Sequence, residues 1–177
     1  MPLFAFEGKA PEVHATAFVA PTATLVGEVV VEEGASVWYG AVIRADYAPV
    51  YVRKGANVQD GAVLHAPPNH PTEIGAGATV AHNCVVHGAT VGEEALVANG
   101  AIVLDGATVG RQALVAAGAI VTAGSSIGER MLAMGAPAKE KGPIDGTPAE
   151  FWVSLNPAGY QDLARRHREG VTPIPEG

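Results

Sequence analysis

The chain of 177 residues is 48% apolar and only 16% charged, against a usual charged share of about 25%, so it fits one folded domain with at most a short appendage. Its net charge of −7 argues against a nucleic-acid partner, and its one cysteine, Cys84, excludes an intramolecular disulfide framework and suits a reducing, cytoplasmic compartment. No run of about 18 apolar residues is present to span a membrane, and the first seven residues lack the basic and apolar regions of a secretory signal.

A branched aliphatic residue returns every six positions from Val13: Val13, Val19, Leu25, Val31, Val37, Ile43. After a three-residue slip it resumes at Val52, Val58 and Leu64, and after a four-residue insertion at Ile74, Val80 and Val86. One residue is then dropped, and the series runs on through Val91, Val97, Val103, Val109, Val115, Val121 and Ile127. The fifth place is mostly alanine, as at Ala35, Ala41, Ala62 and Ala101. A helix would need apolar residues three and four apart. Six-residue repeats predict a parallel β-helix instead, in which each short strand forms one side of a three-sided coil. The aliphatic residue points inward, the small residue leaves room at the corner, and coils stack about 4.8 Å apart. Nineteen such repeats make about six coils over residues 11–139.

Beyond Gly135–Lys139 the pattern ends, and 140–146 reads as a linker. Thr147-Pro148-Ala149-Glu150 has the form of a capping box with proline at the first helical position. Phe151, Trp152, Leu155, Tyr160 and Leu163 supply one apolar side, predicting an α-helix over 147–169 packed on the β-helix. Asn156-Pro157 is expected to kink or interrupt it, and the tail 170–177 to be loose.

The frame also assigns faces to histidines. His14 and His167 stand alone and read as surface or packing residues. His65 follows Leu64 and His87 follows Val86, one full coil later, so the two should stack on one face about 4.8 Å apart. His82 is third after Val80 and belongs to the neighbouring face, so it can meet the other two only from another chain. Three such contacts around an axis close a cyclic trimer. Three neutral imidazoles with an open fourth position make a catalytic metal site, typically of zinc; the alternative is three surface histidines on a solenoid. One face carries the column Tyr39, Asp60, His82, Asn99, and the other carries Arg44, His65, His87, Leu104. Polar residues such as Gln59 and Asp60 flank the site as outer support would require, whereas Asn99 reads equally well as a solvated residue.

Three segments carry a resemblance: Ser36-Val37-Trp38-Tyr39-Gly40-Ala41-Val42-Ile43-Arg44-Ala45-Asp46, Asn57-Val58-Gln59-Asp60-Gly61-Ala62-Val63-Leu64-His65, and His82-Asn83-Cys84-Val85-Val86-His87-Gly88. Together they resemble the γ-class carbonic anhydrase family over about residues 11–139, and more weakly into the helix. The hexapeptides alone are shared with many acyltransferases. The resemblance implies a mainly β fold, a left-handed parallel β-helix with a C-terminal α-helix, assembled as a homotrimer. It implies a metal at each subunit interface, held by His65 and His87 of one chain and His82 of the next. Zinc is the usual metal, with Fe2+ or Co2+ as substitutes. Arg44 and Asp46 match an intersubunit salt bridge. Gln59 and Asp60 match residues around the metal-bound solvent, Asn57 a residue near the site, and Tyr160 a tyrosine of the terminal helix. The implied reaction is reversible hydration of CO2 to bicarbonate by a metal-bound hydroxide.

Two departures bear on the rate. The best-known members carry a glutamate where this chain has Tyr47, and an acidic proton-shuttling loop where this chain has Ala66–Glu73. Glu73 and His70 are the candidates to replace that shuttle. A subgroup lacking both glutamates is often weak or inactive toward CO2. Rival readings are a metal-dependent thioesterase or other hydrolase on the same scaffold, a hexapeptide acyltransferase using a CoA thioester, and a non-enzymatic trimeric subunit.

Overall fold

A two-residue strand with one inward side chain cannot bury it alone; stacking identical coils does, and that is how this chain builds its core. The computed structural model describes residues 2–174. One side of the prism is a ladder of parallel strands, Phe18–Val19, Ser36–Val37, Asn57–Val58, Thr79–Val80, Leu96–Val97, Leu114–Val115 and Met131–Met134. A twelve-stranded sheet wraps the other two sides. Its strand Val42–Val52 turns the corner between them, pairing Ile43 with Leu64 at one end and Val52 with Ile74 at the other. The repeat holds without exception in the interior: the inward aliphatic residues from Val19 to Ile127 and the corner alanines are buried. Val13, at the open end, is only half-buried.

The three-residue slip has a local cause. Strand Thr24–Val31 pairs with Val42–Val52, and their register breaks between Gly27 and Val29. Gly27 has φ +79°, and a Cβ there would collide with the Ala45 carbonyl, so only glycine lets the longer strand pass.

Two expectations about the C-terminal end are corrected. The ladder has seven parallel rungs where about six coils were expected, because Leu132 stacks on Leu114 and Ala133 on Val115. Alanine in the inward place hid this turn from the repeat. The segment 140–146 is not a plain linker: strand Lys139–Pro143 folds back antiparallel on Met131–Met134 and covers the end of the stack.

Helix α1 spans Pro148–Gly170. Thr147 caps it, accepting from the Ala149 N–H at 3.2 Å. The Glu150 carboxylate accepts from the Gly146 N–H at 2.9 Å and from Arg130 at 2.8 Å. Pro157 does not interrupt the helix, because docking holds both halves: Val153 and Ala164 are buried on either side of it. The docked stripe is Val153, Tyr160, Leu163, Ala164 and His167, so Tyr160 and Leu163 of the expected apolar side do pack on the β-helix. Phe151, Trp152 and Leu155, assigned to the buried side, are exposed instead. His167 is a packing residue, 4.9 Å from the Trp38 ring, with Nδ1 3.1 Å from the Tyr39 hydroxyl. Of the expected loose tail, 175–177 lie outside the described residues. No helix among the described residues is long and apolar enough to cross a membrane.

Candidate metal centre

Register decides which histidines meet. Strand Val85–His87 pairs with Val63–His65 so that His87 lies directly over His65. Their ring centroids are 4.9 Å apart, and Nδ1 of His65 is 2.9 Å from Nε2 of His87. Behind each ring stands a carboxylate. Asp46 Oδ1 is 2.9 Å from His65 Nε2, and Asp105 Oδ1 is hydrogen-bonded to His87 Nδ1. Burial pushes the Asp46 carboxyl up, but hydrogen bonds from His65 and Arg44 outweigh it and leave its pKa below the ordinary range. Arg44 and Asp46 pair within one chain.

His82 lies elsewhere, after strand Thr79–Val80 on the other sheet. Its Nδ1 is 3.0 Å from Asp60 Oδ2. The column Tyr39, Asp60, His82, Asn99 is real: the N–H groups of Gly61, Asn83 and Gly100 donate in turn to the carbonyls of Tyr39, Asp60 and His82. One chain therefore brings together two of the three expected ligands and not the third. Among the described residues no group of three His, Cys, Asp or Glu side chains converges on one point.

Beside His82 a groove of about 470 Å³ runs between the β-helix and α1. Gln59, Asn99, Leu96, Trp152 and Tyr160 line it. Gln59 is buried and donates from Nε2 to Asn57 Oδ1 at 2.9 Å, and Asn57 donates to Thr79 Oγ1 at 2.9 Å. Burial pushes the Tyr160 phenol up, and the Asp60 charge adds to it.

Tyr47 is 67% exposed. Glu73 accepts from Arg53 Nε at 2.8 Å, and the same guanidinium holds Glu32. His70 is exposed on its loop, near Gly106. Cys84 is buried, which pushes its thiol up to about 11 and leaves it inert.

A divalent metal fits this donor set. In the tautomers that donate to Asp46 and Asp105, His65 Nδ1 and His87 Nε2 are left as lone pairs facing each other at 2.9 Å, where a cation between them would take both. Two nitrogens on one tetrahedral zinc stand about 3.4 Å apart, so the pair needs to open by only about half an ångström. Asp105 is the residue that reading the sequence missed. It sits next to Leu104, the end of the histidine column, and the frame followed the column without its neighbour.

No family model matches the chain. Among curated proteins it is 47% identical over 137 residues to a carbonic anhydrase of Geobacillus kaustophilus, covering 77% of this chain and 75% of the relative. It is 40% identical over 168 residues to the carnitine operon protein CaiE of Escherichia coli O157:H7, covering 94% and 84%. Among solved structures it resembles a hexapeptide transferase family protein of Anaplasma phagocytophilum, with TM-score 0.88 and 34% identity over 93% of this chain and 96% of that one. It also resembles a Bacillus cereus protein provisionally described as an acetyltransferase, with TM-score 0.91 and 30% identity over 94% and 96%. The seven-rung coil, the stacked histidines with carboxylates behind them, and these relatives agree that the chain belongs to the γ-class carbonic anhydrase family of hexapeptide-repeat proteins.

Proposed function

We propose that the chain is a cytoplasmic, metal-dependent carbonic anhydrase that hydrates CO2 reversibly to bicarbonate. Its centre lies at each interface of a homotrimer, with His65 and His87 from one subunit and His82 from the next. The observation that carries this reading is that each of the three histidines has its own carboxylate: Asp46 for His65, Asp60 for His82 and Asp105 for His87. Asp46 and Asp105 accept hydrogen bonds from one ring nitrogen of His65 and His87, which leaves the other nitrogen as a lone-pair donor; Asp60 stands 3.0 Å from His82 Nδ1 and is placed to act likewise. A bound Zn2+, Fe2+ or Co2+ supplies Lewis acidity and lowers the pKa of water toward neutrality.

The chain's own groups do the rest. Gln59 commits its amide N–H to Asn57, leaving its carbonyl oxygen to accept from and orient the attacking water. Asn57, anchored on Thr79, keeps Gln59 in place. Tyr160 and Trp152 wall the groove beside His82. His70, exposed and in no ion pair among the described residues, is freer to carry the proton away than Glu73, which Arg53 holds.

A second reading is transfer or hydrolysis of a thioester acyl group. It is supported by the transferase names of the two similar structures and by a groove far larger than CO2 needs. The deciding experiment is stopped-flow CO2 hydration on protein purified without oxygen and loaded separately with zinc, ferrous iron and cobalt, with an acyl-CoA assay in parallel. Metal-dependent hydration that His82→Ala abolishes together with the metal supports the first reading. A metal-loaded trimer active only on the thioester replaces it with the second.

A further inference from the structure

We infer that Asp105 positions His87, holding the imidazole proton at Nδ1 so that the Nε2 lone pair faces His65; the inference rests on the metal-centre reading and adds a residue outside the ligand set. A neutral imidazole has one N–H and one lone pair, so a fixed acceptor at Nδ1 decides which nitrogen is offered. Asp105 is that acceptor. It comes from the next coil, and its main chain is pinned: the Gly124 N–H donates to the Asp105 carbonyl at 2.8 Å, and the Gly106 N–H to the Gly88 carbonyl at 2.7 Å.

The residue after the ligand makes room for this contact. Gly88 has φ +58°, and a Cβ there would stand 3.0 Å from Asp105 Oδ1 and 3.0 Å from Pro67 Cδ. A side chain at 88 would push the carboxylate off His87 or displace the proline. Asp46, by contrast, is shared between His65 and Arg44, so it cannot report on one ring alone. Among the described ion pairs Asp105 has no Arg or Lys partner, and its effect is confined to His87.

The test uses the full chain with Asp105→Ala, Asp105→Asn and Gly88→Ala. Two-bond 1H–15N spectra of the metal-free protein read the tautomer of His87, and chelator competition reads zinc affinity. Wild-type His87 is expected to carry its proton at Nδ1. Asp105→Ala should turn this into a mixture of tautomers and weaken zinc about 10–100-fold, the usual effect of losing such an outer partner. Gly88→Ala should do the same in part. Asp105→Asn, whose Oδ1 still accepts, should keep the tautomer and fall between. A His87 tautomer unchanged in Asp105→Ala, or zinc affinity within about twofold of wild type, overturns the inference. A wild-type protein that takes up no zinc instead overturns the metal-centre reading, and the tautomer spectra alone then decide the role of Asp105.

Discussion

Single residues around the site divide into those held by the interior and those held only by other side chains. Asn57 belongs to the first group: fully buried, it accepts from Gln59 and donates to Thr79. Asn57→Ala leaves the Gln59 amide without a partner in a closed environment. The expected loss is about 1–3 kcal/mol in urea unfolding, accompanied by lower activity as Gln59 loosens. His70 and Glu73 make a contrasting pair. If His70 carries the proton, His70→Ala lowers turnover in dilute buffer, and added imidazole restores it. Glu73→Gln, which only loosens the Arg53 clamp, leaves turnover within about twofold because exposed ion pairs contribute little. Equal effects of the two variants would remove His70 from that role. That His65 and His87 stack on one face while His82 lies on another was legible because backbone register alone assigns those faces, whereas Asn57 stood out only through the resemblance. Asp105 and the Glu32–Arg53–Glu73 clamp were not legible, because they depend on how far a side chain reaches between coils, which a six-residue period does not encode.

At the scale of elements, helix α1 is tied at its start by charge and along its length by packing. Hydrogen bonds from Arg130 hold the Asp145 carboxyl below its usual range; Glu150 is lowered first by the Gly146 N–H and then by Arg130. A depressed carboxylate contributes stability above its unfolded pKa, about 4.3 for Glu, and loses it as pH falls through the folded value. The start of α1 should therefore loosen below about pH 4. Circular dichroism at 222 nm should show a stepwise loss of helix there, ahead of the β signal. Glu150→Gln should shrink the pH dependence of that step; an unchanged acid profile would place the anchor in the apolar stripe alone. The existence of this helix and its cap were legible in the sequence, but only Tyr160 and Leu163 of its docked face were. Phe151 and Trp152 look like core residues by composition, yet Val153, Ala164 and the Trp38–Tyr160 contact at 5.4 Å settle the orientation. The rim strand Lys139–Pro143 was illegible for a similar reason. It carries no apolar alternation and owes its conformation to the open edge it covers.

For the whole molecule, the central question is whether one chain is a complete unit. The prism keeps His65 and His87 on one sheet and His82 on the other, so the proposed centre requires two chains, and the partition can be tested without knowing the substrate. Chains carrying His82→Ala retain the stacked pair, and chains carrying His65→Ala with His87→Ala retain the third ligand. Each homotrimer alone should bind no metal at the shared sites. In a cyclic trimer mixed from both, one interface of the three joins an intact pair to an intact His82. Random assembly from equal amounts makes about three-quarters of the trimers mixed, so the metal load should recover to about a quarter of wild type. Mass spectrometry of the intact assemblies, with metal analysis of each, reads both quantities. Recovery only in mixed trimers establishes that the ligands are shared across the interface. Full metal retention in either parent homotrimer would mean that the omitted histidine is not a ligand. No recovery after mixing, with mixed trimers demonstrably present, would mean that the faces carrying His82 and the His65–His87 pair do not meet, and the centre would have to be rebuilt from a different surface.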